Sequence, residues 1–147
     1  MRLIERTGNI FNTDATAIGH GVNTRGVMGA GIAKQFRVRF PAMYDSYSAA
    51  CRSGQLNPGE CLAYPDRSGL LIANIASQDA PGPRARLVWL RTGVASALVS
   101  AAEHGHRVLA LPQIGCGIGG LAWGEVLPVL GELAASGPVD IEAWTFA

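Results

Sequence analysis

The chain has 147 residues, 48% hydrophobic and 16% charged, which suits one globular domain around one core and excludes a disordered chain. A net charge of +1, with arginines gathered only in two small groups (Arg37 and Arg39; Arg84, Arg86 and Arg91), leaves out the basic stripe that a general polynucleotide binder needs. The three cysteines, Cys51, Cys61 and Cys116, are odd in number and lack metal-ligand spacing, so neither a disulfide framework, nor a metal site, nor a cofactor is expected.

Residues 2–6 alternate polar and apolar, as a half-buried strand does, and do not resemble a signal sequence. No apolar stretch is long enough to span a membrane, so a cytoplasmic protein without membrane partners is expected. Residues 15–21 are small and apolar and predict a second, more buried strand. A loop punctuated by Gly26 and Gly29 follows. From Ala30 the pattern turns helical, with Ile32, Ala33, Phe36 and Phe40 on one stripe. Pro41 ends or restarts that helix, and residues 42–52 predict a second one. Strands are expected at 60–64 and 70–77, then a loop with two prolines at 78–83. A long helix over 84–104 carries the stripe Leu87, Leu90, Val94, Leu98 and Ala101, and Gly105 caps it. An apolar strand to Pro112, a glycine loop, a helix over 123–135 and a last strand over 139–146 complete the chain. Strands alternate with helices, so the expected class is α/β, a single domain over 1–147 with a mixed sheet covered on both faces.

The loop after Pro112 reads Gln113-Ile114-Gly115-Cys116-Gly117-Ile118-Gly119-Gly120. Four glycines in six residues let backbone N–H groups turn to a ligand, and a helix N-terminus follows; amides and helix dipole together favour phosphate. The spacing at Gly115, Gly117 and Gly120 also spells G-x-G-x-x-G. A dinucleotide fold needs that motif after its first strand, with an acid closing the next; here Asp140 opens a strand. No Gly-Lys-Ser/Thr follows, so a P-loop is excluded. The plainer alternative is a turn built only for tight strand–helix packing. The stretch Asn23 to Ala33 repeats the same layout with Gly26, Gly29 and Gly31. Two such loops in one small domain could grip opposite sides of one diphosphate. Asn23 ends the strand on the ligand side, where its amide either bonds sugar hydroxyls or forms an Asx-turn.

At Gly8-Asn9-Ile10-Phe11, at Gly26 to Ala33, and at Pro112 to Gly117 followed by Leu121 and Trp123, the sequence resembles the macro domain family. The likeness covers nearly the whole chain. It lies nearest the branch with the terminal ADP-ribose protein glycohydrolase, a chromatin-remodeller macro module and antitoxins that remove ADP-ribose from DNA. It implies a three-layer α/β/α fold around a mixed sheet, with ADP-ribose as ligand. Asn9 and Ile10 would meet adenine; the family usually carries Asp at position 9, and an Asn amide can accept or, flipped, donate. Gly29, Ala30, Gly31 and Ile32 would cradle one side of the diphosphate, and Gly115, Cys116, Gly117, Ile118 and Gly119 the other. Asn23 would hold the distal ribose. Hydrolases of the branch use a lysine at the strand end matching Ser77 and Gln78, and an aspartate at the position of Gly119; this chain has neither.

Its one lysine, Lys34, falls inside the first helix and is expected to face solvent. Three other groups are candidates for chemistry. Asp79 is a base if the 78–83 loop folds over the ligand, and otherwise a solvated acid. His20 titrates near neutrality unless it is a core residue. Cys116 lies near a helix N-terminus, which would lower its pKa, unless it is only a packing residue. Water held by the ligand's own phosphate and oriented by Asn23 needs no protein base. The expected function is hydrolysis of the ester joining ADP-ribose to Asp or Glu of a modified protein. The alternatives are a reader that binds without turnover, a hydrolase acting on ADP-ribosylated nucleic acid, or a pocket for another nucleotide, suggested by Asn9.

Overall fold

The structure, a computed structural model, describes residues 1–146. Six strands form one sheet: β1 (Leu3–Thr7), β2 (Ala17–Val22), β3 (Cys61–Pro65), β4 (Leu71–Ala76), β5 (Val108–Leu111) and β6 (Asp140–Thr145). Their order is β1-β6-β5-β2-β4-β3, with every neighbouring pair parallel except the β3–β4 edge. Four helices cover it: α1 (Gly31–Arg39), α2 (Pro41–Arg52), α3 (Leu87–Glu103) and α4 (Trp123–Ser136).

Central strands sandwiched between helices must be apolar on both faces. In β4, Leu71, Ala73 and Ile75 enter a core with α3 and α4, while Ile72 and Ala76 enter a second core with α1 and α2. The fold is therefore the three-layer α/β/α arrangement with a mixed sheet. Pro41 stands at the first position of α2, where its missing N–H leaves no helical bond unmade.

β2, β4 and β5 run parallel, so the loops that leave their C-terminal ends lie on one edge. The chain goes from β2 toward β4 on one side and returns through α3 to β5 on the other. Such a reversal opens a crevice at the carboxyl ends of the strands. The expected helix over 84–104 begins later, at Leu87. Residues 84–86 stay out of the helix because Ala85 N–H donates to Gly119 O (3.1 Å) and Arg86 N–H donates to Ser77 O (3.0 Å). A short 3-10 turn, Ile10–Asn12, interrupts the exit from β1.

Candidate functional site

A cavity of about 520 Å³ occupies that crevice, within the size range of small-molecule sites. Its walls include Asn9, Ile10, Asn23, Gly29, Ala30, Gly31, Ile32, Ser77, Gln78 and Gly115 to Gly119. The two glycine bends face each other: a Cβ placed on Gly31 would lie 3.3 Å from Ile118 Cδ1. Behind the first bend α1 begins at Gly31. Its N-cap is Ala30, whose backbone is extended and whose side chain makes no capping bond. The first-turn N–H groups of α1 thus open on the cavity without a side-chain acceptor. The second bend contains a 3-10 turn, Gly117–Gly119, also without a side-chain cap. Glycine is required at Gly115, where φ is +75° and a Cβ would sit 2.9 Å from both Leu121 Cδ1 and Leu90 Cδ1.

Asn23 follows β2 and is 7% exposed. Its Oδ1 accepts from Arg25 N–H (2.9 Å) and Val27 N–H (3.3 Å), and its Nδ2 donates to Val27 O (2.8 Å). These bonds form the Asx-type turn that launches the first bend, and they leave one Nδ2 hydrogen for the cavity. From α2, the Tyr47 hydroxyl donates to Asn23 O (2.7 Å) and Tyr44 to Gly26 O (3.0 Å). The second helix therefore props the bend from behind.

Ser77 and Gln78 close the far end. Ser77 Oγ is buried without a hydrogen-bond partner among the described residues and lies 2.6 Å from where a Gly21 Cβ would stand. Gln78 Nε2 donates to Ala80 O (2.7 Å) and Gly82 O (3.1 Å). That amide ties the 78–83 loop beside the second bend, where Gln78 Oε1 lies 3.1 Å from a Cβ position on Gly119. Thr24 Oγ1 donates to Asp79 O (3.0 Å), so the same loop is fastened to the first bend.

Asp79, expected as a base over the ligand, faces Arg84 and not the cavity. Its carboxylate accepts from Arg84 Nε and Nη2, both at 2.6 Å, and is absent from the cavity wall. The Arg84 guanidinium holds its pKa down at about 2, so it takes no proton at neutral pH.

Cys116 does reach the cavity, but burial and then the nearby Glu125 carboxylate raise its pKa instead of lowering it. Lys34 is exposed on α1 and outside the wall, as its spacing predicts.

His20 is fully buried under α1, stacked on Phe36 with ring centroids 3.9 Å apart, and its Nε2 lies 2.8 Å from Asn74 Oδ1. It is a core residue and not a base for the cavity. Burial lowers its pKa to about 4, against the opposing Asn74 bond. Between the ordinary 6.5 and 4, an unfolded chain binds a proton that the folded one refuses. Stability is thus fully present above the upper value and falls as pH drops through this window, by roughly 3 kcal/mol if the whole shift is expressed. Urea midpoints at pH 7 and pH 4.5 check this; equal midpoints would contradict the burial of a neutral ring.

Sequence reasoning did not name Gly8, Trp144 and Phe146 as walls. Parallel pairing of β1 with β6 brings them together, with Gly8 N–H donating to Thr145 O (2.8 Å). Two aromatics, Trp144 and Phe146, at the end of the last apolar strand pattern were the available signal. Among the described residues no cluster of His, Cys, Asp and Glu could hold a metal, and no helix is long and apolar enough to cross a membrane.

A three-layer fold whose sheet carries two opposed glycine bends at its carboxyl edge, one of them opening a helix, defines a distinct class of α/β proteins. Within it, the chain belongs to the macro domain family, whose model matches residues 20–130. It is 34% identical over 143 residues to the DNA ADP-ribosyl glycohydrolase of Thermus aquaticus, covering 95% of this chain and 39% of that protein. The chain therefore spans less than two fifths of that relative's length. The macrodomain of Mycobacterium tuberculosis DarG superposes with a TM-score of 0.87 at 28% identity, covering 97% of this chain and 96% of that one. The macrodomain of Thermus aquaticus DarG gives 0.86 at 31% identity, covering 99% and 97%.

Proposed function

We propose that the cavity binds ADP-ribose and that the chain hydrolyses the bond joining it to a carboxylate acceptor. The observation that carries this reading is the pair of opposed bends, one on each side of a cavity wide enough for a nucleotide diphosphate. The diphosphate lies between Gly29–Ile32 and Gly115–Gly119, the base at Asn9 and Ile10, and the distal ribose against Asn23, Ser77 and Gln78.

No lysine reaches the distal end, and the Gln78 amide is neither nucleophilic nor free of its loop bonds. The proposed route therefore takes water, in place of a lysine, as the nucleophile. Water held by a phosphate oxygen attacks the anomeric carbon of the distal ribose. The bond from that carbon to the acceptor oxygen breaks, the carboxylate leaves with the electron pair, and the water proton passes through the phosphate to solvent. A carboxylate needs no acid to leave, so orientation and charge placement suffice. Asn23 supplies orientation with its remaining N–H.

A nucleic-acid acceptor is the second reading, favoured by the name of the Thermus aquaticus relative. The leaving group sets the two readings apart chemically: a carboxylate departs unaided, whereas a more basic acceptor on nucleic acid needs a proton donor. The test follows release of labelled ADP-ribose from an Asp/Glu-modified protein and from modified DNA in parallel. Asn23→Asp keeps the acceptor bonds of the turn and removes both Nδ2 donors, the free one and the one on Val27 O, so release is expected to fall about a hundredfold or more at an unchanged melting temperature. Lys34→Ala is expected to leave the rate unchanged. Calorimetric binding without release from either substrate would leave a reader in place of an enzyme.

A further inference from the structure

The Asn23 side chain is tied down from two directions. Within its own bend, Arg25 N–H and Val27 N–H donate to its Oδ1, and its Nδ2 donates to Val27 O. Those partners lie in no helix or strand, so they hold Asn23 to the bend and not to the rest of the fold. The second tie comes from α2. The Tyr47 hydroxyl donates to Asn23 O at 2.7 Å and to Asn23 Oδ1 at 3.1 Å, its one proton shared between the two oxygens. Cys51, one turn further on, reaches the backbone oxygen alone, with Sγ at 4.0 Å. Among the described residues Tyr47 is thus the one hydrogen-bond partner of the Asn23 side chain from outside the bend.

A single donor that grips both the backbone and the side-chain oxygen of one residue restricts the torsion between them. Tyr47 is fully buried in the core under α1 and α2, so its ring is itself held. Burial, and then Cys51, pushes the pKa of the hydroxyl up, so it keeps the proton it donates. With Oδ1 facing only donors, Nδ2 is the end that carries the free N–H. Reaction geometry tolerates little misplacement of such a group. We propose that Tyr47 is a positioning residue: it fixes the Asn23 side chain to α2 and so aims the Nδ2 hydrogen that orients attack on the distal ribose. This rests on the reading that Asn23 orients that attack. Tyr44 supplies the control. Its hydroxyl donates to Gly26 O at 3.0 Å, gripping the same bend from the same helix without touching Asn23.

Tyr47→Phe removes the hydroxyl and keeps the ring. Release of labelled ADP-ribose at saturating substrate, from whichever modified protein or DNA the wild type turns over, is expected to fall about tenfold, the order of a small misplacement. Calorimetric affinity for free ADP-ribose is expected to stay within about threefold, because the loss is confined to turnover. Tyr44→Phe is expected to leave both unchanged. In an Asn23→Asp background, Tyr47→Phe is expected to cost nothing further, because the hydrogen it aims is already gone. Melting curves set an assay temperature at which every variant is folded. NMR of the Asn23 Nδ2 protons reads the placement without turnover: one sharp pair in the wild type and in Tyr44→Phe, broadened in Tyr47→Phe. An equal loss of release in Tyr44→Phe, or a further loss in the Asn23→Asp background, makes the hydroxyl a general support of the bend and overturns the positioning role. Full release by Tyr47→Phe with Asn23→Asp impaired overturns it too, and leaves the reading of Asn23 standing. Full release by Asn23→Asp overturns that reading itself.

Discussion

Ala30→Asp is expected to make the protein more stable and its ligand weaker. Ala30 is the N-cap of α1, with φ −150° and ψ 164°, and contributes no capping bond. An aspartate there can accept from the N–H groups of the first turn and complement the helix dipole, a gain of about 1 kcal/mol. In a chain of this length that raises the melting temperature by about 2–4 °C. The same N–H groups are those a phosphate would use, and the new carboxylate adds like charge beside it. Losing one charge-assisted bond, about 1.5–3 kcal/mol, lowers affinity roughly tenfold to a hundredfold. Ala30→Ser caps without charge and should fall between. Melting curves with and without ADP-ribose, together with calorimetry, read both signs; a stabilised variant of unchanged affinity would remove the α1 terminus from the anion seat.

Gly115→Ala is expected to damage fold and site together. The backbone at Gly115 is left-handed, which disfavours any Cβ by about 1–2 kcal/mol. The added methyl would also stand 2.9 Å from leucine carbons of α3 and of the loop itself, an overpacking worth about 1–3 kcal/mol. The sum, about 2–5 kcal/mol, should appear in the urea midpoint, and ADP-ribose binding should be lost with the shape of the bend. Gly117 makes the comparison sharp. Its φ is +56°, but a Cβ there meets nothing within 4 Å, so Gly117→Ala should carry the backbone penalty alone. Equal destabilisation by the two variants would show that the leucine contacts do not matter.

The alternation of strands and helices, the restart at Pro41 and both glycine bends could be read directly, because each rests on local pattern and turn chemistry. What local pattern could not supply was any bond between distant segments. Arg84 to Arg86 have helix-compatible side chains, yet the carbonyls of Ser77 and Gly119 capture their backbone. Asp79 looked free until Arg84, five residues on, closed a fork over it. The helix terminus near Cys116 suggested a lowered pKa, but burial and Glu125 act the other way and prevail. Trp144 and Phe146 join the base end only because the last strand pairs with the first. The glycines marked the two bends and the resemblance named Asn9, Ile10, Ser77 and Gln78; Trp144 and Phe146 required the sheet.

Among the described residues lining the cavity, Cys116 alone has an ionisable side chain. A pyrophosphate seated there would be neutralised by peptide dipoles, which neither gain nor lose hydrogen ions. Complex formation should then be proton-neutral: association heats measured in PIPES and in Tris buffer at the same pH should coincide. Unlike a lysine- or arginine-lined phosphate site, this one would trade long-range attraction of its ligand for a grip made of fixed peptide geometry.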